Sequence, residues 1–268
     1  MPLLPFPDPY SFKLSTERFR AYGADRANLW HDGALYRVVG GREVRLEAAP
    51  GGVRVEPAAG PEVEHLLGAQ WDLAAFAEFA AGSGDHVLAR AAVELAGFRP
   101  PLAPDPFEAL VTSITAQQVS LHSAFAIRSR LIERYGEPAE HAIAFPTEER
   151  LAEVSEDDLF ALGFSHRKAE YVVGLARAGL DYAALAELPD DEVKERLTAL
   201  RGLGEWSADW YLARHLGRPH AWPAGDLGVR KAVSDLYAVA GDIRAFGDRF
   251  HPFQNLACNY LLLLHRTP

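Results

Sequence analysis

Three groups of side chains in the second half of the chain have the types and spacing to serve chemistry. Gly202 and Gly204 form a Gly-x-Gly turn between two helical patterns. Glycine lacks a Cβ and tolerates positive φ, so such a turn lets another molecule come close to the backbone. The first amides of the following helix have no intrahelical acceptor, and a helix N-terminus attracts anions. A nucleic-acid phosphate could sit there, held around Gly202, Gly204, Trp206 and Ser207 without regard to base sequence. Trp206 and Trp210 lie four residues apart and share one helix face. An aromatic pair of this kind is either core or a stacking wall. Asp226 is a lone carboxylate on the turn Pro223-Ala224-Gly225-Asp226, and taken alone it reads as the N-cap of the next helix.

Helical segments must position these groups. Asp190 to Leu200 begins with acidic residues after Pro189 and carries Val193, Leu197 and Leu200 at helical spacing; Glu205 to Leu216 continues beyond the glycines. Upstream, Asp105-Pro106-Phe107-Glu108 opens a helix with a cap candidate, a proline at the first position and a glutamate three residues past the cap. Gln117-Gln118-Val119-Ser120 interrupts it, and a second helix runs to about Tyr135. Gly228 to Ala240 and Asn255 to Leu264 complete the helical part. Nearer the N-terminus, Ala34 to Val39, Glu43 to Glu47 and Gly52 to Glu56 read as three short strands joined by Gly40-Gly41 and Pro50-Gly51-Gly52 turns. Their alternation predicts a small antiparallel sheet with one wet face. Glu62 to Leu67 and Asp72 to Ala81 are helical again. The expected architecture is mostly α, with a small antiparallel α+β domain over residues 1–84 and a helical region over 85–268, against which part of the N-terminal segment packs.

Composition narrows the function classes. Hydrophobic residues at 49% and charged ones at 24% describe an ordinary globular chain, and 268 residues suggest roughly two domains. No apolar run is long enough to span a membrane, and Met1 to Pro7 lacks the basic start of a secretory signal, so a cytoplasmic protein is expected. Cys258 is the single cysteine, which excludes internal disulfides and thiolate clusters. The ten histidines include no pair at helical ligand spacing, so neither a catalytic metal nor a cofactor is expected. A net charge of −10 argues against nucleic-acid binding. Residues 162–231, however, carry ten Lys plus Arg and ten Asp plus Glu, so the deficit lies outside the stretch of interest.

Leu-x-Gly-x-Gly at 200–204, followed by the Pro-x-x-Asp turn at 223–226, resembles the helix-hairpin-helix Gly/Pro/Asp superfamily of DNA base-excision glycosylases, in particular its DNA-3-methyladenine glycosylase II branch. The resemblance covers about residues 100–260 and implies a helical glycosylase bundle. It implies that Asp226 is the catalytic carboxylate and that Trp206 and Trp210 line the base pocket. Phe250-His251-Pro252-Phe253-Gln254 is similar to the family's Trp-x-Pro-Trp-Arg segment, which would add Phe250 to the pocket. The Gln-x-Val-Ser corner implies Gln118 as the wedge that fills the gap left by an extruded base. Strand-cutting members carry a lysine where Trp206 stands, so a monofunctional, water-using enzyme is implied. The expected partner is double-stranded DNA holding a damaged base, bound by a monomer. A monovalent cation at the hairpin carbonyls is compatible with the resemblance. A glycosylase for uracil or another lesion, and a non-catalytic DNA-binding module, are the alternatives.

Overall fold

The computed structural model describes residues 2–239 and 241–267. The N-terminal layer is an antiparallel sheet of β1 (Leu3–Pro5), β2 (Leu29–His31), β3 (Ala34–Val39), β4 (Arg42–Ala49) and β5 (Gly52–Glu56), in the order β1-β5-β4-β3-β2. The three strands expected from alternation are joined by two further ones of three residues each, β1 and β2. Those two are too short for period-two patterning to register, and β1 ends in proline. Gly52 of β5 pairs with Pro5 of β1, and a Cβ there would lie 2.1 Å from the Leu4 carbonyl oxygen.

Leu35, Leu46 and Val55 pair across the sheet and, like Val53, are fully buried. They pack on Val63, Leu66 and Leu67 of α2 (Pro61–Leu66, counting its C-cap). The expected wet face is covered at β3, whose Ala34 and Tyr36 pack against Ala142. The Glu43 carboxylate fastens that cover by accepting from the amides of His141 and Ala142 at 2.9 and 2.8 Å. Local alternation could not anticipate this, because the covering loop is a hundred residues away in sequence.

The remaining helices are α1 (Phe12–Ser15), preceding β2, and then α3 (Leu73–Gly82), α4 (His86–Glu94), α5 (Pro106–Ala116), α6 (Leu121–Tyr135), α7 (Glu148–Ala152), α8 (Glu156–Ala161) and α9 (His166–Ala176). They continue with α10 (Tyr182–Ala186), α11 (Asp190–Thr198), α12 (Glu205–Arg214), α13 (Leu227–Tyr237), α14 (Ile243–Gly247) and α15 (Gln254–Arg266). Most start on a side-chain cap: Asp105 accepts from Glu108 N at 2.7 Å at α5, and Ser120 from Ser123 N at 3.2 Å at α6. Helix α12 begins on Gly204 with no side-chain cap.

Two apolar cores divide the helical part. One gathers α5 and α6 with α7 to α12; the other joins α3 and α4 to α13, α14 and α15. Trp71, Phe76 and Ala80 therefore pack with Leu256 and Tyr260, whereas the core of the sheet layer ends at Leu67. Between sheet layer and bundle lies a buried ion network. Glu108 of α5 accepts from Arg37 of β3 at 2.6 Å and from Arg128 of α6, and Arg128 also donates to Asp25. Asn28 joins it by donating to Asp25 at 2.6 Å and accepting from Arg37. This network fixes how residues 12–28 lie against α5 and α6, and so sets one wall of the cleft described next.

Candidate active site

Helices α11 and α12 meet at the Gly202–Gly204 turn. Gly202 has φ of +94°, and a Cβ there would lie 2.2 Å from the Tyr171 ring, so only glycine fits. Leu203 between the glycines points into the core. Gln117, at the end of α5, donates from its side-chain amide to the Gly202 carbonyl at 2.8 Å and approaches the Ser207 hydroxyl at 3.4 Å. That bond occupies one of the carbonyls that the monovalent-cation expectation draws on. The Ser207 side chain is buried, which leaves only its backbone amide for a partner. As the first residues of α12, Glu205, Trp206 and Ser207 present amides without intrahelical acceptors.

The corner between α5 and α6 is the second exposed feature beside the hairpin. Gln118 adopts a left-handed backbone, φ +54°, and its side chain is exposed. A non-glycine residue pays a steric penalty for that conformation, which turns the chain sharply and projects the corner outward. Val119 and Leu121, next to it, are also exposed.

Asp226 lies where α13 begins, and each of its oxygens has its own task. Oδ1 accepts from the Val229 amide at 3.0 Å, as a helix cap does. Oδ2 accepts from both indole N–H groups, Trp206 at 2.7 Å and Trp210 at 3.0 Å. Cap and candidate catalytic group, which the sequence posed as alternatives, are thus compatible in one carboxylate. The two tryptophans share a helix face as their spacing requires, and they present their polar edges to Asp226. Arg214, one further turn along α12, lies 4.0 Å from the Trp210 ring centroid. The 206, 210, 214 repeat was visible in the sequence and would have flagged Arg214.

These side chains border a cleft of about 310 Å³ between the bundle and residues 14–28 of the N-terminal layer, a volume suited to a small organic group. Its far wall carries Arg18, Phe19 and Tyr22, with Phe125 of α6 in contact with Tyr22 at 5.4 Å between ring centroids. Leu262 and Arg266 of α15 close one end. Phe250 is not among these residues. It is 1% exposed, in a 3₁₀ turn, and packs on Trp222 and Phe246 with ring centroids 5.4 and 5.7 Å apart. The expectation that it lines the pocket is therefore corrected: it is a core residue. Motif position could not distinguish an aromatic facing the core from one facing the cleft.

Burial governs the ionisable groups near the cleft. It pushes the Cys258 thiol up to about 12, so that thiol is not a nucleophile. It depresses Arg214, and Arg18 more strongly; Arg214, Arg266 and Arg128 add like-charge repulsion at Arg18. Among the described residues, no helix is long and apolar enough to cross a membrane.

A glycine hairpin offering free helix amides, beside a cleft with a clamped carboxylate at its edge, defines the helix-hairpin-helix class of base-excision proteins. The chain belongs to the HhH-GPD superfamily of base excision DNA repair proteins, whose family profile matches residues 111–245. It is 31% identical over 173 residues to a DNA-3-methyladenine glycosylase of Bacillus subtilis, which covers 62% of this chain and 56% of that protein. It is 28% identical over 175 residues to DNA-3-methyladenine glycosylase 2 of Escherichia coli, covering 63% of this chain and 61% of that one. The matched stretches thus span somewhat more than half of these relatives. The 3-methyladenine DNA-glycosylase of Archaeoglobus fulgidus superposes over the whole chain, with TM-score 0.90, 26% identity and 99% of its own chain covered. An 8-oxoguanine glycosylase/lyase of Clostridium acetobutylicum, solved with double-stranded DNA, shares the fold at TM-score 0.80 and 22% identity.

Proposed function

We propose that the protein is a monofunctional DNA glycosylase that flips alkylated purines out of double-stranded DNA and hydrolyses their N-glycosidic bond, in base-excision repair. The observation that carries this reading is the Asp226 carboxylate, fixed by two indoles and one backbone amide at a cleft beside the phosphate-accessible hairpin.

Breaking the bond between C1′ and the base nitrogen leaves positive charge on the deoxyribose while the electron pair departs with the base. A carboxylate already oriented by three donors stabilises that charge without reorganising, and in many enzymes such preorganised electrostatics accounts for most of the rate enhancement. Asp226 also directs water onto C1′ and accepts its proton, a role parallel to that of the carboxylates of glycoside hydrolysis. Base extrusion costs about a few kcal/mol. Gln118 fills the vacated stack from its projecting corner, and the amides of Glu205 to Ser207 hold a phosphate beside it. Phosphate contact through backbone amides suits a chain of net charge −10, and binding weakens as salt rises.

No lysine is found among the described residues that border the cleft. Trp206 occupies the position two residues after Gly204, and the Lys168 ammonium is held by the Thr115 carbonyl at 2.8 Å. With no amine in place to attack the sugar, the reaction ends at an abasic site. The test is incubation with DNA treated with a methylating agent. Methylated purines should be released, with strand breaks appearing only after alkali. Breaks without alkali would contradict the monofunctional assignment, and no release would contradict the glycosylase reading.

A further inference from the structure

Within the hairpin stretch from Gly202 to Ser207, the one charged side chain works against a phosphate contact. Glu205 is the first residue of α12, so its amide is among those open to a phosphate while its carboxylate, 65% exposed, stands on the same turn. That carboxylate suits the free protein. Gly204 supplies no side-chain cap, and an acidic group in the first turn offsets the positive end of the helix. It suits a DNA complex poorly, because carboxylate and phosphate repel and the whole chain already carries a net charge of −10.

The neighbouring cations determine how much of that repulsion a strand would meet. Arg201, in the turn itself, is paired with Glu170 of α9. Lys194 of α11 is held by Asp209 at 2.7 Å, and the Asp209 carboxylate is buried. Arg244 comes from α14, which is anchored in the other apolar core by Ile243 and Phe246. Its Nη2 donates to Glu205 Oε1 at 2.5 Å and lies 4.0 Å from Asp209 Oδ2. The Arg244 side chain is 53% exposed, and an ion pair so open to water contributes little to folding. Its effect falls instead on the local field at the start of α12.

We propose that Arg244 is a positioning residue for DNA binding: it fixes and neutralises the Glu205 carboxylate, so that the first amides of α12 accept a phosphate without like-charge repulsion. The inference rests on the reading of the hairpin as the phosphate site of a glycosylase. Arg244 acts through Glu205 rather than by its own grip on the strand, because the guanidinium is already directed at two carboxylates. The acidic side chain that stabilises the free helix end is thereby compatible with an anionic partner at the same end.

The experiment is a double-mutant cycle read by fluorescence anisotropy. Wild type, Arg244→Gln, Glu205→Gln and the double variant are titrated onto a duplex containing an abasic-site analogue, and melting curves establish that each protein is folded. Arg244→Gln should weaken binding about tenfold at low salt, as expected for an uncompensated like charge at an interface. That loss should narrow as salt screens the repulsion. Glu205→Gln should bind at least as tightly as wild type. In the Glu205→Gln background, removal of Arg244 should cost less than about twofold, since the two effects are coupled. Arg244→Lys, which keeps the charge, should retain most of the affinity. An equal loss in both backgrounds would mean that Arg244 touches the strand itself, and it overturns the proposal. Wild-type affinity in Arg244→Gln overturns it as well, and wild type that binds the duplex and releases methylated purines leaves the glycosylase reading standing in both cases. Wild type that neither binds the duplex nor releases methylated purines overturns the two together.

Discussion

On one wall of the cleft Asp226 has three N–H donors aimed at its two oxygens; on the facing wall Arg18 has no hydrogen-bond acceptor for its guanidinium among the described residues. The first arrangement is complete without a ligand, so the carboxylate is held in one place before anything binds. The second is completed only from outside. Buried polar groups are normally satisfied, whereas the buried Nε of Arg214, which also borders the cleft, has no acceptor among the described residues. Here the satisfied wall carries the group that the proposed bond breaking needs held in place, and the facing wall carries a guanidinium left open to whatever enters the cleft. The two are kept in register by the Asp25, Glu108, Arg37 and Arg128 network, which joins the sheet layer to α5 and α6.

Breaking the register should have the largest effect on stability. Glu108→Ala leaves Arg37 without its carboxylate and Arg128 with only Asp25, and about 3–5 kcal/mol of stability should be lost. Urea unfolding measures this; a loss below about 1 kcal/mol would mean that the two walls are held by other contacts. The same network makes stability depend on pH. Burial tends to raise the Asp25 carboxyl, but Arg128, the Asn28 amide and Arg37 outweigh it and hold it below the ordinary range. Because its pKa is depressed in the folded state, Asp25 contributes stability in full above its unfolded value of about 3.9. That contribution is lost as pH falls from there through the folded value. Wild-type melting temperature should therefore drop on acidification below about pH 4, and the Asp25→Asn variant should lack this component.

A smaller effect sharpens the contrast on the satisfied wall. Trp206→Phe and Trp210→Phe each keep an aromatic surface and delete one donor to Oδ2. Each should slow single-turnover excision roughly tenfold to a hundredfold, the worth of one hydrogen bond to a charged group. A wild-type rate in either variant would show that its indole serves packing alone.

Much of the satisfied wall was legible in the sequence because its signals are local. The Gly-x-Gly turn, the four-residue spacing of the tryptophans and the Pro-x-x-Asp turn all depend on near neighbours, as does the cap Asp105. The facing wall was not legible. Arg18 and Tyr22 lie nearly two hundred residues from Trp206, and only docking of the sheet layer brings them to the same cleft. Phe250 illustrates the converse: its place in an aromatic motif suggested the pocket, whereas packing on Trp222, Tyr237 and Phe246 puts it in the core. The covered face of β3 was hidden for the same reason as Arg18, because its cover around His141 and Ala142 comes from far along the chain.

The most direct test of the account is single-turnover excision of a methylated purine by Asp226→Asn. Asparagine caps a helix about as well as aspartate, so the fold and binding to a duplex containing an abasic-site analogue should be retained. The excision rate should fall by about 10²–10³ or more, as expected when preorganised charge stabilisation is removed. Excision at the wild-type rate by a folded, DNA-binding Asp226→Asn protein would mean that Asp226 only caps α13 and that the catalytic group lies elsewhere.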